Sequence, residues 1–204
     1  MKMAKKFLAV ALAGVLALSV LTGCGAGVKS KDIADALNKM GVKVEQDKDM
    51  DKTAENTLKA IEAIVNAPAN AAKPDTDTDK ITLDNAVNDT TGKIIKTNSI
   101  ISSSDTNKAV RKALGMCAYD DNSATAAQKA NIAKNVKVAL VKTENATKDA
   151  SLQAAIAKDG LVAANNVVPS GNQVYAESGK LGSAKTSDGK YILVVIVTDM
   201  VAKA

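Results

Sequence analysis

The chain offers few residues that could carry out catalysis, because it contains no histidine. A zinc site built on imidazole ligands and a catalytic triad with histidine as its base are therefore both excluded. General acid–base chemistry would fall to Asp, Glu, Lys or Tyr. Two clusters hold hydroxyl and carboxyl groups close together, namely Ser102, Ser103, Ser104 and Asp105, and Tyr119, Asp120 and Asp121.

Both clusters are also typical of helix caps and loops, where Ser and Asp side chains accept hydrogen bonds from backbone amides. We favour this structural interpretation and assign no catalytic and no metal-binding residue. Cys117 follows an apparent helix end. With no histidine to activate it, a buried structural thiol is the favoured interpretation.

The second cysteine, Cys24, lies in a different context. Three lysines within the first six residues precede an apolar segment at residues 7–21. This segment is shorter than the roughly 20 apolar residues of a spanning helix, and the pattern is typical of a secretory signal. At its end, the sequence Leu21-Thr22-Gly23-Cys24 resembles a bacterial lipobox.

The lipobox resemblance implies that diacylglycerol is joined to Cys24 and that residues 1–23 are removed by cleavage between Gly23 and Cys24. Two acyl chains would hold the protein firmly, at about 0.8 kcal/mol per buried methylene. We expect no other cofactor. The implied location is the outer side of the bacterial cytoplasmic membrane, extracellular or periplasmic. An ordinary secretory signal with a coincidental cysteine is the alternative.

The charge balance changes once the signal is removed. The whole chain has 27 basic and 22 acidic residues, and three of the lysines lie in the signal, so the mature net charge is near +2. No basic stripe is present, which argues against nucleic acid as a partner. The implied partners are the membrane, through the lipid, and a cell-wall or envelope protein.

The remaining composition defines the core. If Cys24 carries lipid, Cys117 has no partner for an intramolecular disulfide. The mature chain keeps three tyrosines and no other aromatic residue. The core is therefore expected to consist of Ala, Val, Ile and Leu, and an aromatic platform for carbohydrate is disfavoured.

Three parts are predicted along the chain: a signal peptide at 1–23, a tether with a short accessory helix at 24–50, and a single globular α-β-α domain at 51–204. Within the tether, Ser30 is expected to cap a helix that Gly41 ends.

The rest of the tether and the start of the domain are predicted as follows. Residues 42–45 alternate like a brief strand, and the charged residues 46–52 are expected to form a solvated loop. A helix should begin at Asp51 or Thr53 and end before Pro68. Residues 66–79 are expected to form a polar loop without the pattern of an EF-hand.

The sequence pattern in the middle of the domain predicts secondary structure less clearly. Residues 85–98 could be helical, with a strand at 93–102 as the competing interpretation. Asp105 should cap the next helix, and Thr125 with Gln128 has the form of a capping box.

The C-terminal part gives the clearest pattern. Residues 136–143 predict a strand, and Thr147 should start a helix that carries Leu152. Ser187-Asp188-Gly189 between two extended segments predicts a hairpin. Residues 192–197 lack polar alternation, which predicts a central strand covered on both faces. The expected fold is therefore α/β or α+β, a helix–sheet–helix sandwich with a small, mainly antiparallel central sheet.

The order of elements from residue 51 onward resembles that of the CAP superfamily, the cysteine-rich secretory and pathogenesis-related proteins. The similar segments are 61–66, 81–84, 135–143, 155–168 and 187–191. The resemblance implies a helix–sheet–helix sandwich. The family's cleft usually holds two histidines and two acidic residues, whereas this chain has Leu161 and the serines 102–104 at the matching positions. The resemblance is therefore to a degenerate domain, and no family site is carried over.

Three functions fit the sequence. The first is a lipid-anchored surface domain with a non-catalytic binding or structural role in the cell envelope. The second is an envelope hydrolase that uses Ser, Lys or Asp without histidine. The third is a small solute-binding lipoprotein. The missing histidines and the anchor favour the first, so an enzyme is less favoured than a binding domain.

Overall fold

The apolar segment near the C-terminus forms the central strand of the fold. The computed structural model describes residues 28–97, 99–100, 105–115, 134–142, 149–165 and 168–204. The helices are α1 Ser30–Lys39, α2 Lys48–Val65, α3 Pro68–Ala71, α4 Leu83–Ala86, α5 Asp105–Ala113 and α6 Ala150–Asp159. The strands are β1 Val44–Gln46, β2 Ile95–Lys96, β3 Ser99–Ile100, β4 Lys134–Lys142, β5 Val162–Asn165, β6 Gln173–Tyr175, β7 Gly179–Lys185 and β8 Tyr191–Ala202.

The main sheet has the strand order β1-β7-β8-β4-β5, and β6 pairs with the far end of β8. All pairings in it are antiparallel except β1 with β7. β4 runs beside β8 from the Lys134–Asp199 pair to the Lys142–Tyr191 pair. The α+β class and the mainly antiparallel sheet expected from the sequence are confirmed.

The hairpin between β7 and β8 is also confirmed. Gly189 has a φ of 70°, and its amide donates to the carbonyl of Thr186. Asp188 accepts a hydrogen bond from the Thr186 hydroxyl at 2.6 Å and one from the Lys190 amide at 3.0 Å. A positive φ costs glycine little, which is why the Asp-Gly step suits this turn.

Helices cover the sheet on both faces, as the apolar β8 predicts. Leu193, Val195 and Val197 of β8 face α2, α4 and α5, and the first core, which we call the α2-side core, forms there. Ile192, Val194 and Ile196 face α1 and α6 in the second core, the α1-side core. Successive side chains of a strand point to opposite faces, so both cores share β8. Every buried hydrophobic residue of the described chain is Ala, Val, Ile or Leu.

The N-terminal helix packs on the sheet. Ile33 and Leu37 of α1 are fully buried, and β1 joins the sheet edge beside β7. The helix begins one residue earlier than expected, since Lys29 occupies the N-cap position and Ser30 is the first helical residue. Gly41, with a φ of 86°, follows the helix as predicted. The predicted domain boundary at residue 50 stays a prediction, and both elements before it contact the sheet.

The expectation of a solvated loop at residues 46–52 is wrong. Asp47 caps α2, because its carboxylate accepts hydrogen bonds from the amides of Asp49 and Met50, and the helix already begins at Lys48. The acidic residues of its first turn lie where the helix dipole favours negative charge. The charged residues from Asp47 onward therefore form the start of α2.

Three further expectations need correction. The helix expected at 85–98 is limited to α4, and β2 with β3 follows, so the strand alternative is nearer. The loop at 66–79 contains the short α3. Leu152 of α6 is 45% exposed, whereas Ala154 and Ala157 are buried, so the apolar face of α6 is rotated from the expected one. Thr147, Thr125 and Gln128 lie outside the described residues.

Candidate functional site

The residues predicted to carry chemistry lie largely outside the described residues. These are Gly23, Cys24, the serines 102–104, Cys117 and residues 119–121. Asp105 is the first residue of α5. The predictions for lipidation and cleavage at Cys24 therefore stay predictions. Three surfaces of the described chain are candidates for a functional role.

The first surface lies where the described chain begins, and we call it the tether corner: Val28, Lys29, Ser30, Ser183 and Lys185. Val28 packs against the α1-side core. The hydroxyl oxygens of Ser30 and Ser183 lie 2.7 Å apart, which fixes the start of α1 on β7. At the other end of α1, the Asn38 amide binds the backbone of Val44.

These contacts give α1 a direction. Val44 pairs with Gly179 at the start of β7, whereas Ser30 lies at Ser183 further along β7. α1 is therefore antiparallel to β7, and its N-terminus lies toward the Lys185 end of β7.

The lysines of this corner differ from others nearby. Lys31 forms an ion pair with Asp35 at 2.8 Å. Among the described residues, no ion pair joins Lys29 or Lys185 to a carboxylate. Lys185 is half-buried, and burial lowers its pKa. Within the described chain the ammonium groups of Lys29 and Lys185 are therefore not in ion pairs, while the carboxylate of Asp51 accepts a hydrogen bond from the Ser183 amide of this corner at 3.2 Å.

The second surface lies on the opposite face at the same end of the sheet. The Tyr191 hydroxyl donates to a carboxylate oxygen of Asp84 at 2.8 Å, joining β8 to α4. The pKa of Tyr191 is raised to about 12 by burial, by this hydrogen bond and by the charges of Asp84 and Asp188. Burial, with the charge of Asp188, also raises the pKa of Glu62 on α2.

This arrangement stabilises a neutral phenol. A general acid or base works best when its pKa lies near the working pH, and the pKa of Tyr191 is moved away from it. Asp188, whose pKa is lowered first by the Thr186 hydroxyl, serves the hairpin turn. The Tyr191–Asp84 pair is thus best described as a tertiary hydrogen bond.

The acidic loop between α3 and α4 is closed by its own lysines. Lys80 Nζ donates to Asp75 at 2.7 Å and to the carbonyl of Lys73, while Lys73 Nζ reaches the carbonyl of Asp79. The hydrogen bond from Lys80 and the charge of Lys80 lower the pKa of Asp75. Over the described ranges, no group of three or more His, Cys, Asp or Glu residues is placed to hold a metal ion.

The third surface is apolar and lies on the ribbon formed by β6 and the end of β8. Val174 and Val201 are cross-strand partners and are 38% and 44% exposed. Val168, just before the ribbon, is 76% exposed. The sequence analysis did not identify this surface, because it assigned neither Val174 nor Val201 to a strand. Neighbouring exposed apolar side chains are a candidate surface for contact with a partner.

Comparison of the chain with protein-family models, with curated proteins and with solved structures returns no match. The resemblance to the CAP superfamily therefore stays a hypothesis. None of the helices in the described part of the chain has the length and apolar character needed to cross a membrane.

Proposed function

We propose that this chain is a bacterial lipoprotein, anchored by diacylglycerol on Cys24 to the outer side of the cytoplasmic membrane. Its domain would have a non-catalytic binding or structural role in the cell envelope. The proposal is supported by the lipobox-like sequence and by one structural observation. Val28, only four residues after Cys24, already packs against the α1-side core.

This observation matters because cleavage before Cys24 would leave the packed elements intact. The first helix of the described chain, α1, begins at Ser30, so the mature chain would hold every described element. A lipidated N-terminus would therefore be compatible with the whole fold as described. The proposal makes Cys24 the sole covalent link to the membrane.

The binding role is supported by the apolar ribbon. Val174 and Val201 stand next to each other on a two-stranded extension, away from the helices that cover the sheet centre. Exposed apolar groups beside a strand edge suit a protein partner better than a soluble metabolite. An envelope protein is therefore the proposed partner class.

The anchor is tested with the two cysteines as matched variants. Cys24→Ser and Cys117→Ser proteins are expressed in a bacterium fed an alkyne-tagged fatty acid. The natural chain and Cys117→Ser should carry the label and start at residue 24 by mass spectrometry. Cys24→Ser should lose the label and keep residues 1–23. Equal labelling of all three, or none in any, would overturn the anchor.

The binding role is tested separately in intact cells. A photo-crosslinking amino acid is placed at Val174 and, as a control, at Leu152, which is comparably exposed on α6. The proposal expects an adduct of one discrete mass from position 174 only. The same adducts from both positions, or none from position 174, would contradict a partner at the ribbon.

A further inference from the structure

We infer that the tether corner rests against the anionic phosphate headgroups of the membrane that carries the anchor, so the domain is held in one orientation. This inference rests on the proposed lipidation of Cys24. Besides the lipid tether, the domain would have a membrane-facing surface. This surface consists of Lys29, Lys185 and the hairpin after Lys185.

The length of the linker is the first argument. Only Gly25, Ala26 and Gly27 separate the proposed lipid site from Val28, and Val28 packs against the α1-side core. A chain spans at most about 3.6 Å per residue, so Val28 lies within roughly 14 Å of Cys24. A domain of this length has a radius of gyration of roughly 16 Å. The linker is therefore too short to let the far side of the domain turn toward the bilayer.

The direction of α1 is the second argument. Ser30 is fixed at Ser183, and α1 runs from there toward the start of β7. The N-terminus of α1 thus lies toward the Lys185 end, and we infer that this end is the side of the domain nearest the lipid. The other end of the central strand is remote, because β8 has 12 residues and spans roughly 40 Å.

The charge at the corner is the third argument. Lys29 is exposed and Lys185 is half-buried on the same face as Ser183, since alternate residues of β7 share a face. Neither pairs with a carboxylate of the described chain, whereas Lys31 and Lys190 do. Asp32, the nearest acid on α1, accepts a hydrogen bond from the Lys29 amide. Phosphate groups of lipid would supply the missing negative charge.

The test uses full-length lipidated protein in vesicles of phosphatidylglycerol and phosphatidylcholine that carry a spin label on the headgroup. In a Cys117→Ser background, a fluorophore is attached at Ser187→Cys, in the hairpin beside Lys185. The matched control is Ser170→Cys, two residues from Asn172, whose carbonyl binds the Lys203 amide at the far end of the ribbon. Both serines are exposed.

Flotation with the vesicles is measured first, because loss of flotation and of the fatty-acid label would contradict the proposed anchor itself. With flotation intact, quenching at position 187 should exceed that at position 170 severalfold. Equal quenching, or stronger quenching at position 170, would overturn the inferred orientation while leaving the anchor in place.

The headgroup contact is tested by charge. Lys29→Gln with Lys185→Gln should bring the ratio of the two quenching signals down toward one, because each lysine removed takes away part of the attraction to an anionic surface. Lys43→Gln with Lys203→Gln, which removes two exposed lysines away from the corner, should leave the ratio unchanged. Equal effects of the two double variants would overturn the contact of Lys29 and Lys185 with phosphate.

Discussion

The two faces of the sheet are covered in different ways. On the α2 side, one 18-residue helix lies against the sheet, with α4 and α5 beside it, and contributes Leu58, Ile61 and Ile64. On the α1 side, two ten-residue helices share the face, and much of their buried surface is alanine: Ala34, Ala36, Ala154 and Ala157. Both cores contain large side chains, and the alanines of the second let two short helices lie close together on the sheet.

The backbone approaches the sheet closely on the α2 side. A Cβ atom added at Gly182 of β7 would overlap the backbone of Met50 and Asp51. On the α1 side, a Cβ atom at Gly160 would meet a side-chain methyl of Val141 at 2.6 Å. The close contact on the α2 side is with helix backbone, which cannot move by itself. The close contact on the α1 side is with a side chain, which can change its rotamer. Since β8 belongs to both cores, we expect the two faces to unfold together despite this difference.

The largest effect is expected from cavities in the two cores. Ile61→Ala and Leu37→Ala each remove a fully buried side chain, one from each core, and should each lower the free energy of unfolding by about 4 kcal/mol. Urea unfolding followed by circular dichroism and by hydrogen exchange should give one coincident transition for both variants. Separate transitions would show that the α1-side core unfolds independently of the α2-side core.

The two glycines sharpen the comparison. Gly182→Ala should cost about 3 kcal/mol, because helix backbone cannot move away without lifting α2 from β7. Gly160→Ala should cost less than about 1 kcal/mol, since Val141 can change rotamer and Gly160 has a φ of −91°. Thermal unfolding of the two variants checks this. A cost at Gly160 as large as that at Gly182 would contradict the contrast between the faces.

Asparagines at the helix ends give the next smaller effect. Asn70, buried after α2, donates to the carbonyls of Val65 and Ile81 and accepts from the Ile81 amide, each at 2.8 Å. Asn70→Ala should cost about 2 kcal/mol because these buried groups lose their partner.

The side chain of Asn38, exposed at the end of α1, binds the backbone carbonyl and amide of Val44. Asn38→Ala should cost about 1 kcal/mol, because water can replace its bonds. Chemical denaturation of both variants measures the difference, and the reverse order of the two costs would be the contrary result.

The smallest effect concerns pH. The pKa of Tyr191, on the α2 side, is raised from 10.0 to about 12. The folded state therefore keeps its phenolic proton while the unfolded state loses it, so the Tyr191 contribution to stability is lost as pH rises from about 10 to 12. Lys185, on the α1 side, has a lowered pKa in the folded state, so it loses its proton at a lower pH than in the unfolded state. Its contribution to stability therefore increases as the pH rises toward 10.5.

The difference in phenolate absorbance between the natural chain and Tyr191→Phe isolates this residue. Its midpoint should lie near pH 12, and Asp84→Asn should move it downward, because the carboxylate that stabilises the protonated phenol is gone. A midpoint near 10 in the folded protein would show that the Tyr191–Asp84 hydrogen bond does not hold the phenol in its neutral form.

Several features of the fold followed from local sequence. The unbroken apolar residues 192–197 required cover on both faces, and the Asp-Gly step required a turn before them. The start of α2 did not follow, because Asp47, Asp49 and Asp51 are all competent caps and only packing selects one. The rotated face of α6 was missed because its buried residues are alanines, which give a weak periodic signal.

For the site, the sequence by itself determined the chemistry that is available: no histidine, a lipobox-like cysteine, and an aliphatic core. These properties depend only on residue types and on their spacing over a few positions in the sequence. Only the tertiary structure brought Ser30 to Ser183, which are 153 residues apart in the chain, and so placed Lys185 near the start of α1. It also placed Gly182 under α2. Contacts of this range depend on how both faces pack against β8, and no local pattern encodes that geometry.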